Sequence, residues 1–132
     1  MTIFVDASAA VSMLMLEPDA EFLFGLLDDD QDRLWSPIAV WETTVAITRT
    51  RVIQADRAYD DVNALAERLG FKLMRIGQAE TFGALAAFAR YGKRSGSPAN
   101  LNLGDCFAYA CAKTSGARLL YKGDDFTHTD LA

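Results

Sequence analysis

The residues of this chain best equipped for chemistry are five carboxylates in four separated segments: Asp6, Glu42, Asp105, and the neighbours Asp124 and Asp125. Asp105 poses the sharpest question, because it heads the stretch NLGDCFAYACAKT, Asn102 to Thr114. Phe107, Ala108, Tyr109, Ala110, Cys111 and Ala112 leave a helix there no polar face before Lys113, so the segment is expected to be buried nearly all round. A buried carboxylate needs a partner. A place in the first turn helps Asp105 stay ionised, since the helix dipole and free backbone N–H groups favour an anion. Carboxylates gathered at one place repel one another, and a hard divalent cation relieves that cost. Mg2+ or Mn2+ held by a few carboxylates and waters is also a usual means of orienting a phosphodiester and activating water.

The elements that must position these groups follow from periodicity. Short β-rich runs stand at Thr2 to Val5, Lys72 to Ile76 and Arg118 to Tyr121, with a weaker one near Arg33 to Trp35. Helical patterns fill the intervals. One starts at Pro18, Asp19 and Glu21 and stops in the acidic run Asp28 to Asp30; another is capped by Ser36 with Pro37 at its first position. Others cover Ala55 to Leu69 and Gln78 to Tyr91. The alternation predicts one α/β domain over residues 1–132, with a parallel sheet of four to five strands flanked by helices on both faces. In such a sheet Asp6 closes the first strand, Asp124 and Asp125 lie just past the last, and ligands bind at that carboxyl edge. Glu42 falls on the stripe of Ile38, Val45 and Ala46, so the spacing points it toward the core.

Each carboxylate also has an ordinary reading. Asp6 between strand and helix is a common N-cap. Glu42 at a helix edge would reach Arg49 or water, and Asp124 and Asp125 would be turn formers. Convergence of four segments on one edge is what favours the metal reading over these. Lys93 and Arg94, in the loop Gly92 to Pro98, are candidates for phosphate contacts or for a solvated loop.

Composition removes other classes. At 132 residues and 51% hydrophobic, the chain fits one domain with a real core. No apolar run approaches the roughly 20 residues of a membrane span, and Met1 to Asp6 lack the basic flank of a signal peptide, so no membrane partner and a cytoplasmic location are expected. Cys106 and Cys111, five apart in one helix, face different ways and read as small core residues. A net charge of -5 argues against a broad basic nucleic-acid surface. The one histidine, His128, reads as an exposed tail residue and rules out a two-histidine acid and base mechanism.

Four blocks then resemble a PIN-domain ribonuclease, and within that superfamily the VapC toxins of bacterial toxin-antitoxin pairs: IFVDASA at Ile3 to Ala9, WE at Trp41 and Glu42, LNLGDCFAYACAK at Leu101 to Lys113, and LLYKGDDFTHTDL at Leu119 to Leu131. The resemblance implies a PIN fold and an acidic set of Asp6, Glu42 and Asp105, with a fourth member in the turn of Asp124 and Asp125. Either aspartate of that turn suits the role. It further implies a Mg2+- or Mn2+-dependent endoribonuclease in which Asp6 and Asp105 are ligands, Glu42 is a ligand or water orienter, and Ser8 supports the site by hydrogen bonding. The implied partners are an RNA substrate, a VapB-like antitoxin whose tail enters the acidic groove with a basic side chain, and a second copy in a homodimer. Two rivals differ in class. A non-catalytic PIN-fold RNA-binding or interaction module is disfavoured because every matched acidic position is present. A receiver-like signalling domain needs an aspartate after its third strand, where this chain has Gly77, Gln78 and Ala79.

Overall fold

The first strand, β1 (Thr2–Val5), is the axis of the molecule: Ile3, Phe4 and Val5 are almost wholly removed from solvent. In the computed structural model, which describes residues 1–132, β1 has parallel partners on both sides, β2 (Asp32–Trp35) and β4 (Arg118–Leu120). A fourth strand, β3 (Phe71–Leu73), pairs with β2 and completes the order β3-β2-β1-β4. Side chains alternate across a strand, so Ile3 and Val5 face one layer and Phe4 the other. On the first face pack α1 (Ala7–Met15), α2 (Ala20–Asp28), α3 (Pro37–Arg51) and α4 (Ala55–Leu69), through residues such as Met13, Leu23, Ile47 and Val62. Phe4 meets α5 (Gln78–Tyr91) and α6 (Leu103–Thr114) on the second face, together with Phe126 from the carboxyl-terminal turns.

The expected architecture is therefore present, with four strands, and two strand limits shift. The third strand runs over Phe71–Leu73 rather than Lys72 to Ile76. Gly70 ends α4 in the left-handed region at φ 68°, which releases the chain straight into pairing at Phe71, and Phe71 packs edge-on to Trp35 with ring centroids 5.2 Å apart. The last strand stops at Leu120, one residue early, and its carbonyl accepts from the Asp6 amide at 2.9 Å. Arg33 explains why a weakly patterned segment still forms β2. Its guanidinium donates to the carbonyls of Asp30, Leu27 and Leu69 at 2.8, 3.1 and 2.9 Å, satisfying groups left open where α2 and α4 end. Asp30 is buried and paired with the Arg118 guanidinium, which ties that connection to β4.

α6 is the buried helix that its composition demands, with eight of its residues inside, among them Cys106 and Cys111 as unbridged thiols. It lies against α5 closely enough that a Cβ on Gly83 would stand 3.1 Å from that of Ala110. His128 is exposed, as expected.

The turns after β4 carry Asp124 and Asp125, and they are fastened at their far end. Asp130 accepts from the hydroxyls of Tyr109 and Tyr91 at 2.5 and 3.3 Å and from Lys113 Nζ at 2.5 Å. Lys113 and the Tyr109 hydroxyl hold the Asp130 carboxyl down at about 2. A carboxylate with a depressed folded-state pKa stabilises the fold above its unfolded value near 4 and loses that contribution as the pH falls toward 2. Asp130→Asn should therefore melt below wild type at pH 7, and the gap should narrow between pH 4 and pH 2. Paired thermal melts across that range measure it; a gap independent of pH would mean that the ion pair does not hold the turn.

Candidate metal centre at the carboxyl edge

Because β1 is central and parallel to both neighbours, its carboxyl end opens at the middle of the sheet edge, and Asp6 stands there, 5% exposed. The chain turns at once into α1, which Asp6 caps: its Oδ2 accepts from the Ser8 amide at 3.1 Å and from Ser8 Oγ at 2.5 Å. The ordinary N-cap role is thus real, and it fixes the carboxylate at the edge. Burial pushes the Asp6 carboxyl up, the Ser8 and Ala7 groups oppose this, and the charge of Asp125 adds to the rise.

Asp105 arrives from the other face. Asn102 caps α6 and forms a reciprocal pair with it: the Asp105 amide donates to Asn102 Oδ1 at 2.9 Å, and the Asn102 amide donates to Asp105 Oδ2 at 3.1 Å. Burial pushes Asp105 up to about 6. The Asn102 amide works against that rise, Asp125 and Asp6 add to it, and Lys93 lowers it slightly.

Glu42 is placed differently from its expected orientation. The buried stripe of α3 is Ala39, Thr43 and Ile47, and Glu42 lies on the flank beside it, half-buried along with Ile38, Val45 and Ala46. The helix is closest to the core where Thr43 can return its hydroxyl to the Ala39 carbonyl, at 2.7 Å, which leaves Glu42 facing α6. It makes no ion pair with Arg49. Its carboxylate instead occupies the space that a side chain at residue 104 would fill, since a Cβ on Gly104 would overlap all three atoms of the group. Burial, then Asp6, then Asp105 push Glu42 up to about 7.

The charges of Asp6 and Asp105 thus act on Glu42, and that of Asp125 reaches Asp6 and Asp105. Asp124 is exposed, as Asp125 is, and its carbonyl accepts from the Thr127 amide at 3.1 Å, which shapes the turn. Of the two expected loop cations, Lys93 acts on Asp105, whereas Arg94, at φ 69°, contacts none of the carboxylates. No three His, Cys, Asp or Glu side chains are already arranged to hold one ion. Asp6 and Asp105 are each held by a local hydrogen bond, from Ser8 Oγ and from the Asn102 amide. The donor set is all oxygen and carries the charge that a hard divalent ion requires. Two contributors escaped the sequence reading. The Asn102 to Asp105 pair was legible as a capping pattern, but Gly104 carried no signal, because its role exists only where α3 crosses α6.

A parallel sheet with an acidic carboxyl edge, built on both faces by helices, defines the class of this domain. Residues 3–131 match the PIN domain family, and the chain belongs to it. Its relatives include a VapC ribonuclease of Rhizobium meliloti, 45% identical over 139 residues that cover 97% of this chain and 98% of the relative. Ribonuclease VapC30 of Mycobacterium tuberculosis is 39% identical over 128 residues, covering 97% and 95%. Among solved structures, Mycobacterium tuberculosis VapC20, described as a toxin that cleaves the sarcin-ricin loop, superposes with a TM-score of 0.69 at 16% identity over 95% of this chain and 92% of that one, which shows a shared fold.

The raised carboxyls give a pH signature. A carboxyl raised above its unfolded value costs the fold nothing below about pH 4 and progressively more as the pH climbs to its folded value. In chelator, wild type should lose stability from pH 4 to 7, and Glu42→Gln should lose less and be more stable at pH 7.5, by on the order of 1 to 2 kcal/mol after allowance for solvent screening. Parallel denaturation curves for the two proteins would show an unchanged pH slope if Glu42 does not feel the cluster.

Proposed function

We propose that this chain is a ribonuclease toxin of the VapBC type, cutting RNA phosphodiesters with water activated by Mg2+ or Mn2+. The observation that carries the proposal is the gathering of Asp6, Glu42 and Asp105 at the edge where β1 meets α6, on a chain whose full-length relatives are VapC ribonucleases. When bound, the metal supplies a Lewis acid for the phosphoryl oxygen and a more acidic water. Asp6 and Asp105 would hold it, each kept in place by its own cap. Asp125 is the fourth acidic member, and Asp124 serves the turn. Glu42, which no protein donor holds, orients the attacking water. Ser8 fixes the Asp6 carboxylate, and attack in line leaves a 5' phosphate and a 3' hydroxyl. Lys93, beside Asp105, contacts the RNA backbone, with Arg94 farther along the same loop.

The partners follow from surface chemistry. A VapB-like antitoxin would bring a basic side chain to the acidic edge. Phe82, Leu85 and Phe88 form an exposed row on α5, with Leu103 exposed at the start of α6, and such an apolar patch supports a homodimer. No helix is long and apolar enough to cross a membrane, and a cytoplasmic location, where RNA and antitoxin meet the toxin, accords with the reading.

The test is cleavage of a 5'-labelled RNA with and without Mn2+, set beside growth of cells expressing the chain alone. Wild type should arrest growth and cut only with metal; a harmless protein that leaves RNA intact in Mn2+ would refute the proposal. Gly104→Ala sharpens it. Alanine favours a helix by up to about 1 kcal/mol over glycine, and the Glu42 carboxylate, at the end of a flexible side chain, can move aside. The variant should melt no lower than wild type yet cleave 10- to 100-fold more slowly, as expected for a small displacement of a reacting group (about 100-fold for 1 Å). Full activity would show that the Glu42 position is unimportant.

A further inference from the structure

Asp125 makes no hydrogen bond or ion pair of its own, although its charge reaches both Asp6 and Asp105. Its position is therefore set through the backbone, from Phe126 on one side and Lys122 on the other. Phe126 is buried in the core. Lys122 is held at two points. Its amide donates to Ser8 Oγ at 3.0 Å, and Ser8 in turn donates to Asp6. Its ammonium lies 3.1 Å from Glu17 Oε1 and 3.5 Å from Asp19 Oδ1, between α1 and α2, and Asp19 is steadied by Ser12 Oγ at 2.7 Å. Between Lys122 and the aspartates comes Gly123 at φ 92°, a conformation that suits glycine and turns the chain sharply.

Resting on the ribonuclease reading above, we propose that Lys122 is a positioning residue: its clasp on Glu17 and Asp19 registers the turn bearing Asp125 against the β1–α1 turn bearing Asp6, and so sets the spacing of the acidic cluster. Lys122 touches neither metal nor RNA in this account. The backbone bond to Ser8 alone would let the turn pivot, and the ammonium, anchored on the connection between α1 and α2, removes that freedom.

The test compares Lys122→Met, which keeps most of the stem and removes the charge, with Lys122→Arg and with the double variant Glu17→Gln, Asp19→Asn. Hydrogen exchange at the Thr127 amide, which closes the turn onto Asp124, reads the register directly. It should quicken about 10-fold in Lys122→Met and in the double variant, by local opening, while α6 amides keep their protection. The Mn2+ concentration giving half of the full thermal shift should rise 10- to 100-fold, the usual consequence of losing a group that orients metal ligands. KM for RNA should be unchanged while kcat falls, and Lys122→Arg should restore both. A Lys122→Met protein that melts lower but keeps wild-type exchange and Mn2+ response would overturn the proposal. So would a raised KM with a shallower salt dependence and an unchanged Mn2+ response, which would make Lys122 an RNA contact. If wild type itself gave no Mn2+ response, the ribonuclease reading would fail, and the exchange measurement would still decide the role of Lys122.

Discussion

Everything in this molecule turns on holding like charges together with no ion pair to any of them, Lys93 alone acting on Asp105 from the neighbouring loop. Asp6 and Asp105 are nearly buried, Glu42 is pressed against the start of α6, and burial with mutual repulsion raises all three. Such a cluster would disperse on a flexible scaffold. It persists here because each carboxylate is carried by an element fixed for other reasons: β1 by its two parallel neighbours, α6 by the core around it, and α3 by Ala39, Thr43 and Ile47.

The same hydrogen bonds serve folding and site geometry at once. Ser8 completes the cap of α1 while aiming Asp6, and Asn102 caps α6 while holding Asp105. A cap role is therefore compatible with the proposed metal-site role, since the hydrogen bonds that cap α1 and α6 also hold the Asp6 and Asp105 carboxylates at the edge. Arg33 plays the corresponding part at the opposite ends of the helices, closing α2 and α4 so that the strands can stay in register.

Legibility in the sequence followed the range of the interaction. The alternation of strands and helices, the cap at Ser36, and the all-round burial of α6 rest on local pattern and were readable. The limits of β3 were not, because the Trp35 and Phe71 contact and the pairing with β2 determine where it begins, and these join residues far apart in the chain. Glu42 illustrates the boundary well. Its helix was plain from Pro37 onward, but its orientation depends on which side of α3 meets the sheet, and the apolar stripe chosen by spacing lay one position off. The place of Gly104 likewise needed the crossing of two helices.

The most direct test of the central claim is the stability of Asp105→Asn with and without Mn2+. The change keeps size, and the amide oxygen can still accept from the Asn102 backbone, so only the charge is removed. The account predicts that the metal-free variant is as stable as wild type or more so, and that Mn2+ raises the melting temperature of wild type, by RT ln(1 + [L]/Kd) in free energy, and of the variant far less. A variant that melts lower without metal and responds to Mn2+ as wild type does would contradict it, and would leave Asp105 as a helix cap alone.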